Sequence, residues 1–154
     1  MPGYIRKITI PTALITLISL CYALGNSEPP PQKDDFQLTL SLSKKQAVPG
    51  DTVWFTLLLA NSSDDTLHFK LPSPLVARFV IYSDERPVWR SDFGISFAQV
   101  ITPFAIPPKN SIPMRAFWLG KNNEADWLPL GKYYIEACFN ATKQCLRDSM
   151  WLVD

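Results

Sequence analysis

Proline content limits the folds open to this chain more than any other feature of its sequence. The 154 residues include 14 prolines and 6 glycines, and the prolines are spread along most of the chain. Proline inside a helix removes a hydrogen bond and clashes with the preceding turn, whereas turns and sheet edges accept it. A helical bundle is therefore disfavoured, and the length suits one β-rich domain.

Apolar and polar residues alternate with a period of two from Phe36 onward, which is the pattern of half-buried strands. Residues 53–59 are apolar on both faces, so we expect a central strand there. The predicted strands are residues 36–43, 53–59, 66–71, 75–82, 88–90, 97–106, 112–119, 133–139 and 146–153. Short strands separated by frequent turn signals predict an all-β fold, an immunoglobulin-like antiparallel β-sandwich over residues 36–154.

Charge and histidine content narrow the function classes. Lys and Arg number 15 and Asp and Glu 14, a formal net charge of +1, which argues against a nucleic-acid partner. His68, the one histidine, alternates with Leu67 and Phe69 and is expected on the solvated face of a strand. Because no catalytic, metal-binding or nucleotide-binding motif is found, we expect no enzymatic activity and no cofactor or metal.

The first 25 residues have the three-part plan of a secretory signal. Arg6 and Lys7 precede an uncharged, mostly apolar run, and small residues at positions 23 and 25 predict cleavage between Gly25 and Asn26. Residues 26–35 are polar and proline-rich, which indicates a tether before the domain. We therefore expect an exported protein, periplasmic or extracellular, that meets the membrane only through its signal segment.

Cys21 allows a second form of membrane association, through an attached lipid. A cysteine at the end of an apolar leader can carry a lipid, although such signals favour a small residue before it and Leu20 stands there. A lipid-anchored form at Cys21 is thus the alternative to cleavage after Gly25. An uncleaved anchor is a further alternative, but the run is short for the roughly 20 residues that a membrane span needs.

Cys138 and Cys145 are the two cysteines left once the signal segment is set aside. If they face each other in a hairpin, Glu136 stands opposite Arg147, a favourable cross-strand pair. An exported chain meets oxidants, so this spacing predicts a structural disulfide. The alternative is two unrelated buried thiols, and the absence of a CxxC spacing argues against a zinc or redox site.

Three segments of the chain carry a family resemblance. They are residues 49–67, 79–99 and 127–137, of which the string Trp-Arg-Ser-x-x-Gly-x-x-Phe-x-Gln over residues 89–99 is the most specific. Over about residues 38–139 the chain resembles the bacterial intracellular proteinase inhibitor (BsuPI-type) domain family. The resemblance implies an immunoglobulin-like β-sandwich that binds a protein partner, a serine protease. The alternative function is a non-inhibitory structural domain of the cell envelope.

Residues 102–113, TPFAIPPKNSIP, are the candidate contact loop for a protein partner. A loop stiffened by proline loses little entropy on binding. The predicted contact residues are Pro103, Phe104, Ile106, Pro107 and Pro108. An ordinary hairpin with prolines at its edges is the alternative for this stretch.

Three further features of the sequence have ordinary structural interpretations. Trp89, in the family string, is expected to pack between the sheets. Asn61 and Asn140 stand in glycosylation sequons, which matter only in a host that glycosylates. The paired acids 34–35 and 64–65 are expected to be solvated turn residues rather than calcium ligands.

Overall fold

A computed structural model describes residues 35–154 as an all-β structure of ten strands without a helix. The strands are β1 (Phe36–Leu42), β2 (Gln46–Ala47), β3 (Val53–Asn61), β4 (Leu67–Leu71), β5 (Ala77–Ser83), β6 (Arg86–Arg90), β7 (Thr102–Ile106), β8 (Ser111–Trp118), β9 (Gly131–Phe139) and β10 (Gln144–Leu152). Within these residues no helix is long and apolar enough to cross a membrane. The predicted signal peptide, its cleavage site, Cys21 and residues 26–34 of the tether lie outside the described residues.

The strands form two larger sheets and one two-stranded sheet. One larger sheet has the order β1-β3-β8, the other β2-β10-β9-β5-β6, and β4 pairs with β7. Neighbouring strands are antiparallel except for β2 and β10, which run parallel. The inner faces of the sheets contribute to one hydrophobic core. The predicted antiparallel β-sandwich is thereby confirmed.

Strand order agrees with the alternation pattern in its main features. β3 lies between β1 and β8, as predicted from its two apolar faces. Two details differ. The short strand β2 was not predicted, because two residues are too few to show an alternation of apolar and polar side chains. Residues 97–101 were expected to belong to a strand, but β7 begins only at Thr102.

Four phenylalanines from four strands form an aromatic cluster in the core, with Phe69 and Phe139 buried and Phe36 and Phe104 partly buried. Phe139 of β9 lies with its ring centroid 5.0 Å from Phe69, 5.3 Å from Phe36 and 5.8 Å from Phe104. These rings come from all three sheets, so the cluster joins them into one core. Tilted and edge-to-face ring pairs of this kind add stability beyond the burial of area.

The fully buried tryptophan is Trp118 and not Trp89. Trp118 donates its indole N–H to the carbonyl of Lys121 at 2.7 Å, and its ring packs 5.4 Å from Tyr133. Trp89 is half-buried and packs its edge against Phe55, because β6 is the outermost strand of its sheet. The prediction that Trp89 packs between the sheets is therefore only partly right.

The hydroxyl of Tyr133 fixes the chain just before β9. The hydroxyl donates a 2.6 Å hydrogen bond to the carbonyl of Pro129, four residues earlier. Burial raises the pKa of Tyr133, which keeps this donor protonated. The arrangement resembles the tyrosine corner of immunoglobulin-like sandwiches, where a late strand is fixed in the same way.

The final hairpin contains the predicted disulfide. Cys138 and Cys145 are directly paired in the β9–β10 ladder, with Cα atoms 4.1 Å apart and sulfurs bonded. Glu136 faces Arg147 in the same ladder, and the Arg147 Nε donates to Glu136 Oε2 at 2.7 Å. The disulfide and the register predicted from the sequence are both confirmed.

Replacing both Cys138 and Cys145 with serine is expected to lower the free energy of unfolding by about 2–3 kcal/mol, because a short closed loop is released in the unfolded chain. Urea unfolding under non-reducing conditions measures the change. The matched control is Arg147→Gln, which removes an exposed ion pair in the same hairpin and should cost under about 1 kcal/mol. Equal stability of the double serine variant and the parent would contradict the prediction.

Candidate functional site

The proline-rich stretch predicted as a contact loop divides into a strand and a turn. Residues 102–106 form β7, which pairs with β4. Along β7 the side chains of Phe104 and Ile106 point inward, and Ile106 is 0% exposed. Ile106 is therefore a core residue and not a contact residue. Pro103 is exposed on the opposite face of the strand.

Pro107 and Pro108 lie in a tight exposed turn that is fastened to the neighbouring loop. Lys109, with φ 51°, donates from Nζ to the carbonyl of Ser62 at 2.7 Å and lies 3.1 Å from an Asp64 carboxylate oxygen. These contacts fix the turn to the 61–65 loop. Partner contact by Pro103, Pro107 and Pro108 stays a prediction.

Asn61 holds the two loops together from inside the protein. Its side-chain N–H groups donate to the carbonyls of Asp65 at 2.8 Å and of Ile106 and Pro107 at 3.0 Å each. Its side-chain oxygen accepts from the backbone and hydroxyl of Ser63. Asn61 is 3% exposed, so its amide nitrogen is fully used and inaccessible to a glycosylating enzyme. Asn61 therefore has a structural role in this fold.

The most exposed apolar segment is residues 93–101, between β6 and β7. Residues 95–101 belong to no strand, and Phe93, Ile95, Val100 and Ile101 are 51%, 56%, 53% and 70% exposed. Gly94 begins the segment with φ 72°, a conformation that glycine adopts without strain. Phe97, in the middle of the segment, is partly buried. We call residues 93–101 the apolar loop.

Ser91 and Asp92 anchor the start of the apolar loop. Ser91 exchanges two hydrogen bonds with the backbone of Phe79, one from its own N–H and one to its hydroxyl. The buried Asp92 carboxylate lies 3.2 Å from the guanidinium nitrogens of both Arg78 and Arg90. The most specific string of the sequence therefore builds a fixed base for an exposed loop.

An open cavity of about 510 Å³ lies between the apolar loop and the disulfide hairpin. Ile95, Phe97 and Gln99 line one side of it. Leu75 and the two bonded cysteines line the other. The cavity therefore borders the apolar loop on the side that faces the disulfide hairpin.

Three other polar features of residues 35–154 were singled out by the sequence or by their geometry. His68 is exposed on β4, as predicted. Glu136, Cys138 and Cys145 have ligand-type atoms within 4.8 Å of one another, but both sulfurs are joined in the disulfide. Asp64 and Asp65 are exposed turn residues, as the sequence indicated.

A charged network covers the outer face of the sheet beside the disulfide. Tyr82 donates to a Glu136 oxygen at 3.2 Å, and the Arg147 guanidinium lies 5.2 Å from the Tyr82 ring centroid. Burial, followed by the Glu136 carboxylate, raises the pKa of Tyr82. The hydrogen bond to Glu136 raises the pKa of Arg147. Both groups keep their protons at neutral pH, so the network is structural.

The fold and the anchored loop define an immunoglobulin-like β-sandwich that presents an apolar segment to solvent. The chain belongs to the intracellular proteinase inhibitor (BsuPI) family, whose sequence model matches residues 40–144. The match includes the anchor residues Ser91 and Asp92 and the whole apolar loop. Family membership associates the chain with proteinase inhibition. No curated protein sequence matches it.

Solved structures resemble the fold at low sequence identity. A cycloisomaltooligosaccharide glucanotransferase from Paenibacillus sp. is similar with a TM-score of 0.51 and 12% identity, over 78% of this chain and 14% of that chain. The alkylpurine DNA glycosylase AlkC of Pseudomonas fluorescens has a TM-score of 0.49 and 10% identity, over 78% of this chain and 31% of that one. The present chain spans only a small part of these proteins, and the likeness concerns the sandwich alone.

Proposed function

We propose that the protein is an exported β-sandwich module that binds a serine protease and inhibits it. Membership of the proteinase inhibitor family supports inhibition, and the sequence of residues 1–25 supports export. The structural disulfide is consistent with an oxidising compartment. The apolar loop is the contact segment in this proposal.

The exposure of the apolar loop carries the proposal. Proteins often bind extended peptide segments by adding them as a strand and by taking alternate side chains into pockets. Residues 95–101 belong to no strand, so their backbone is not used in the sheets of the described domain. Phe93 and Ile95 offer apolar side chains at alternate positions. Anchoring at Ser91 and Asp92 limits the entropy that the start of the loop loses on binding.

Chymotrypsin and subtilisin are expected to be inhibited stoichiometrically by the purified protein, and trypsin is not, because residues 93–101 contain no Lys or Arg. Replacing Phe93 and Ile95 together with serine should weaken inhibition by about 10- to 100-fold, the loss typical of central apolar contacts. Titration of protease activity with each variant measures the effect.

Two control variants separate the apolar loop from other surfaces. Leu130→Ser changes an apolar residue of similar exposure elsewhere and should leave inhibition unchanged. Pro107→Ala with Pro108→Ala tests the contact loop predicted from the sequence. Loss of inhibition in the proline variant alone would move the site to residues 107–108. Digestion of the protein, or indifference of all proteases tested, would favour the structural envelope domain.

Export predicts that the mature chain begins at Asn26. N-terminal sequencing of the protein recovered from outside the cytoplasm checks this, because signal peptidase cleaves after small residues. A lipid-modified start at Cys21 would instead establish a membrane-anchored lipoprotein. An intact Met1 would contradict export by a cleaved signal.

A further inference from the structure

Strand β8 is at the end of its sheet and has a free edge. It pairs with β3 on one side, and no strand of the described domain pairs with its other side. Such an edge presents a row of backbone N–H and C=O groups that a further extended segment can bind. β8 is eight residues long, which is sufficient for pairing with a peptide.

Hydrogen-bond parity shows which residues of β8 face this free edge. Trp54 accepts from the backbone N–H of Ser43, so its backbone groups face β1. In an antiparallel sheet neighbouring residues face opposite sides, so Phe55 faces β8 and pairs with Ala116. The backbone groups of Arg115 and Phe117 therefore point away from β3. The backbone of Pro113 also points away from β3, so its missing N–H removes no hydrogen bond between β3 and β8.

A groove of about 610 Å³ runs along this free edge, within the size range of peptide and small-molecule sites. Residues 115–119 form one wall. Trp89, Ser91 and residues 122, 123 and 125 line the other. Asn123 fixes that second wall, because its amide bonds both the N–H and the C=O of Arg90.

The groove is aromatic and carries positive charge. Trp54 and Phe117 are 47% and 48% exposed and pack against each other with ring centroids 5.3 Å apart. Arg115 and Lys121 line the groove, and no Asp or Glu does. Among residues 35–154 no ion pair is formed by Arg115. The groove thus fits an apolar ligand that brings its own negative charge.

We propose that this groove binds an extended peptide segment of a partner protein, added as a strand to the free edge of β8. Residues opposite each other in a ladder share a face of the sheet, so an acidic side chain of the peptide lies beside Arg115. The alternate side chains of the peptide are apolar and enter the groove toward Trp89. This site is separate from the apolar loop and does not depend on protease inhibition.

The probe is the blocked heptapeptide Thr-Phe-Asp-Val-Asp-Phe-Thr, titrated into the purified full chain. Amide chemical shifts report the position of binding, and calorimetry reports the affinity. We expect shifts concentrated in residues 115–119 and at Asn122 and Asn123. A peptide with both aspartates N-methylated lacks the donors that would face β8 and should not bind. A peptide with lysine in place of aspartate should bind at least about tenfold more weakly.

Two substitutions of Arg115 separate the contribution of its backbone N–H to peptide affinity from that of its side-chain charge. Arg115→Pro removes the outward N–H while leaving the β3–β8 ladder intact, as Pro113 already does, and should reduce peptide affinity by more than about tenfold without unfolding the protein. Arg115→Gln retains the N–H, and the affinity should fall by only about threefold to tenfold. Ala116→Pro, one residue along, removes a ladder donor and should lower the melting temperature.

Several results would overturn the proposal. Equal binding of the N-methylated peptide, or wild-type affinity in Arg115→Pro, would exclude pairing with β8. Shifts confined to residues 93–101 would place the peptide on the apolar loop. A concentration-dependent dimer that Arg115→Pro abolishes would assign the groove to a second copy of the chain. The variant with Phe93 and Ile95 replaced by serine should still bind the peptide, which distinguishes this site from the inhibitory one.

Discussion

Replacing Phe139 with alanine is expected to lower the free energy of unfolding by about 3–5 kcal/mol, the range for removing a buried phenylalanine. Phe139 is 0% exposed and packs against Phe36, Phe69 and Phe104. The substitution leaves a cavity where three sheets meet, and the remaining rings, held in the β1–β3 and β4–β7 pairs, cannot all move to fill it. Equilibrium unfolding in urea measures the change.

Phe93→Ala is the matched control for this prediction. It removes a ring of the same size from the exposed apolar loop and should change the stability by less than about 0.5 kcal/mol. Phe139→Leu, which retains more volume, should fall between the two. A loss of under about 1 kcal/mol for Phe139→Ala would show that the four-ring cluster contributes little to the stability of the core.

Asn61→Ala is expected to lower the free energy of unfolding by about 3 kcal/mol. The change removes the donor to three carbonyl oxygens, and a buried acceptor left without a partner costs about 1–3 kcal/mol. It also removes the side-chain tie between the 61–65 loop and the turn at residues 107–110, while the contacts of Lys109 with Ser62 and Asp64 remain. Urea unfolding measures the loss, and faster hydrogen exchange at Lys109 and Asn110 reports the loosened turn.

Asn61→Asp tests whether the donated hydrogen bonds are the cause. The aspartate has nearly the same shape but places a carboxylate oxygen against carbonyl oxygens, which favours its protonated form. The folded-state pKa of this residue is then raised, so its stability cost should grow as pH rises above about 4. A cost independent of pH between 3 and 7 would indicate that only packing is lost.

Period-two alternation was the most informative signal in the sequence. It predicted the central place of β3, because Val53 to Leu59 is apolar on both faces. A separate signal, the spacing of Cys138 and Cys145, placed Glu136 opposite Arg147 and so predicted the register of the final hairpin. These features depend on local sequence and on pairing between adjacent strands.

Residues whose position depends on distant parts of the chain were harder to predict. Residues 102–106 were predicted both as the end of a strand and as the start of a proline-rich contact loop, and they form strand β7. The partner strand β4 lies more than 30 residues earlier. The apolar loop presents the opposite problem, because its composition is typical of a strand. Only the tertiary structure shows that no neighbouring strand pairs with it.

Nothing in the sequence indicated that Asn61 and Asp92 would be buried and would bond to other loops and strands. A turn asparagine and a turn aspartate are ordinary in sequence, and both are normally solvated. Their burial at 3% and 7% exposure follows from where the 107–110 turn and Arg78 lie in the fold. Those contacts join segments that are far apart along the chain.

The place of β10 between β2 and β9 has a consequence for the order of folding. Residues 144–152 are synthesised after every other strand described, yet Met150 and Leu152 are core residues and β10 separates two strands made earlier. The five-stranded sheet cannot be completed until β10 emerges from the ribosome. Closure of this sheet is therefore a late event in the folding of the described domain, and the last strand to be made is the one that joins its two parts.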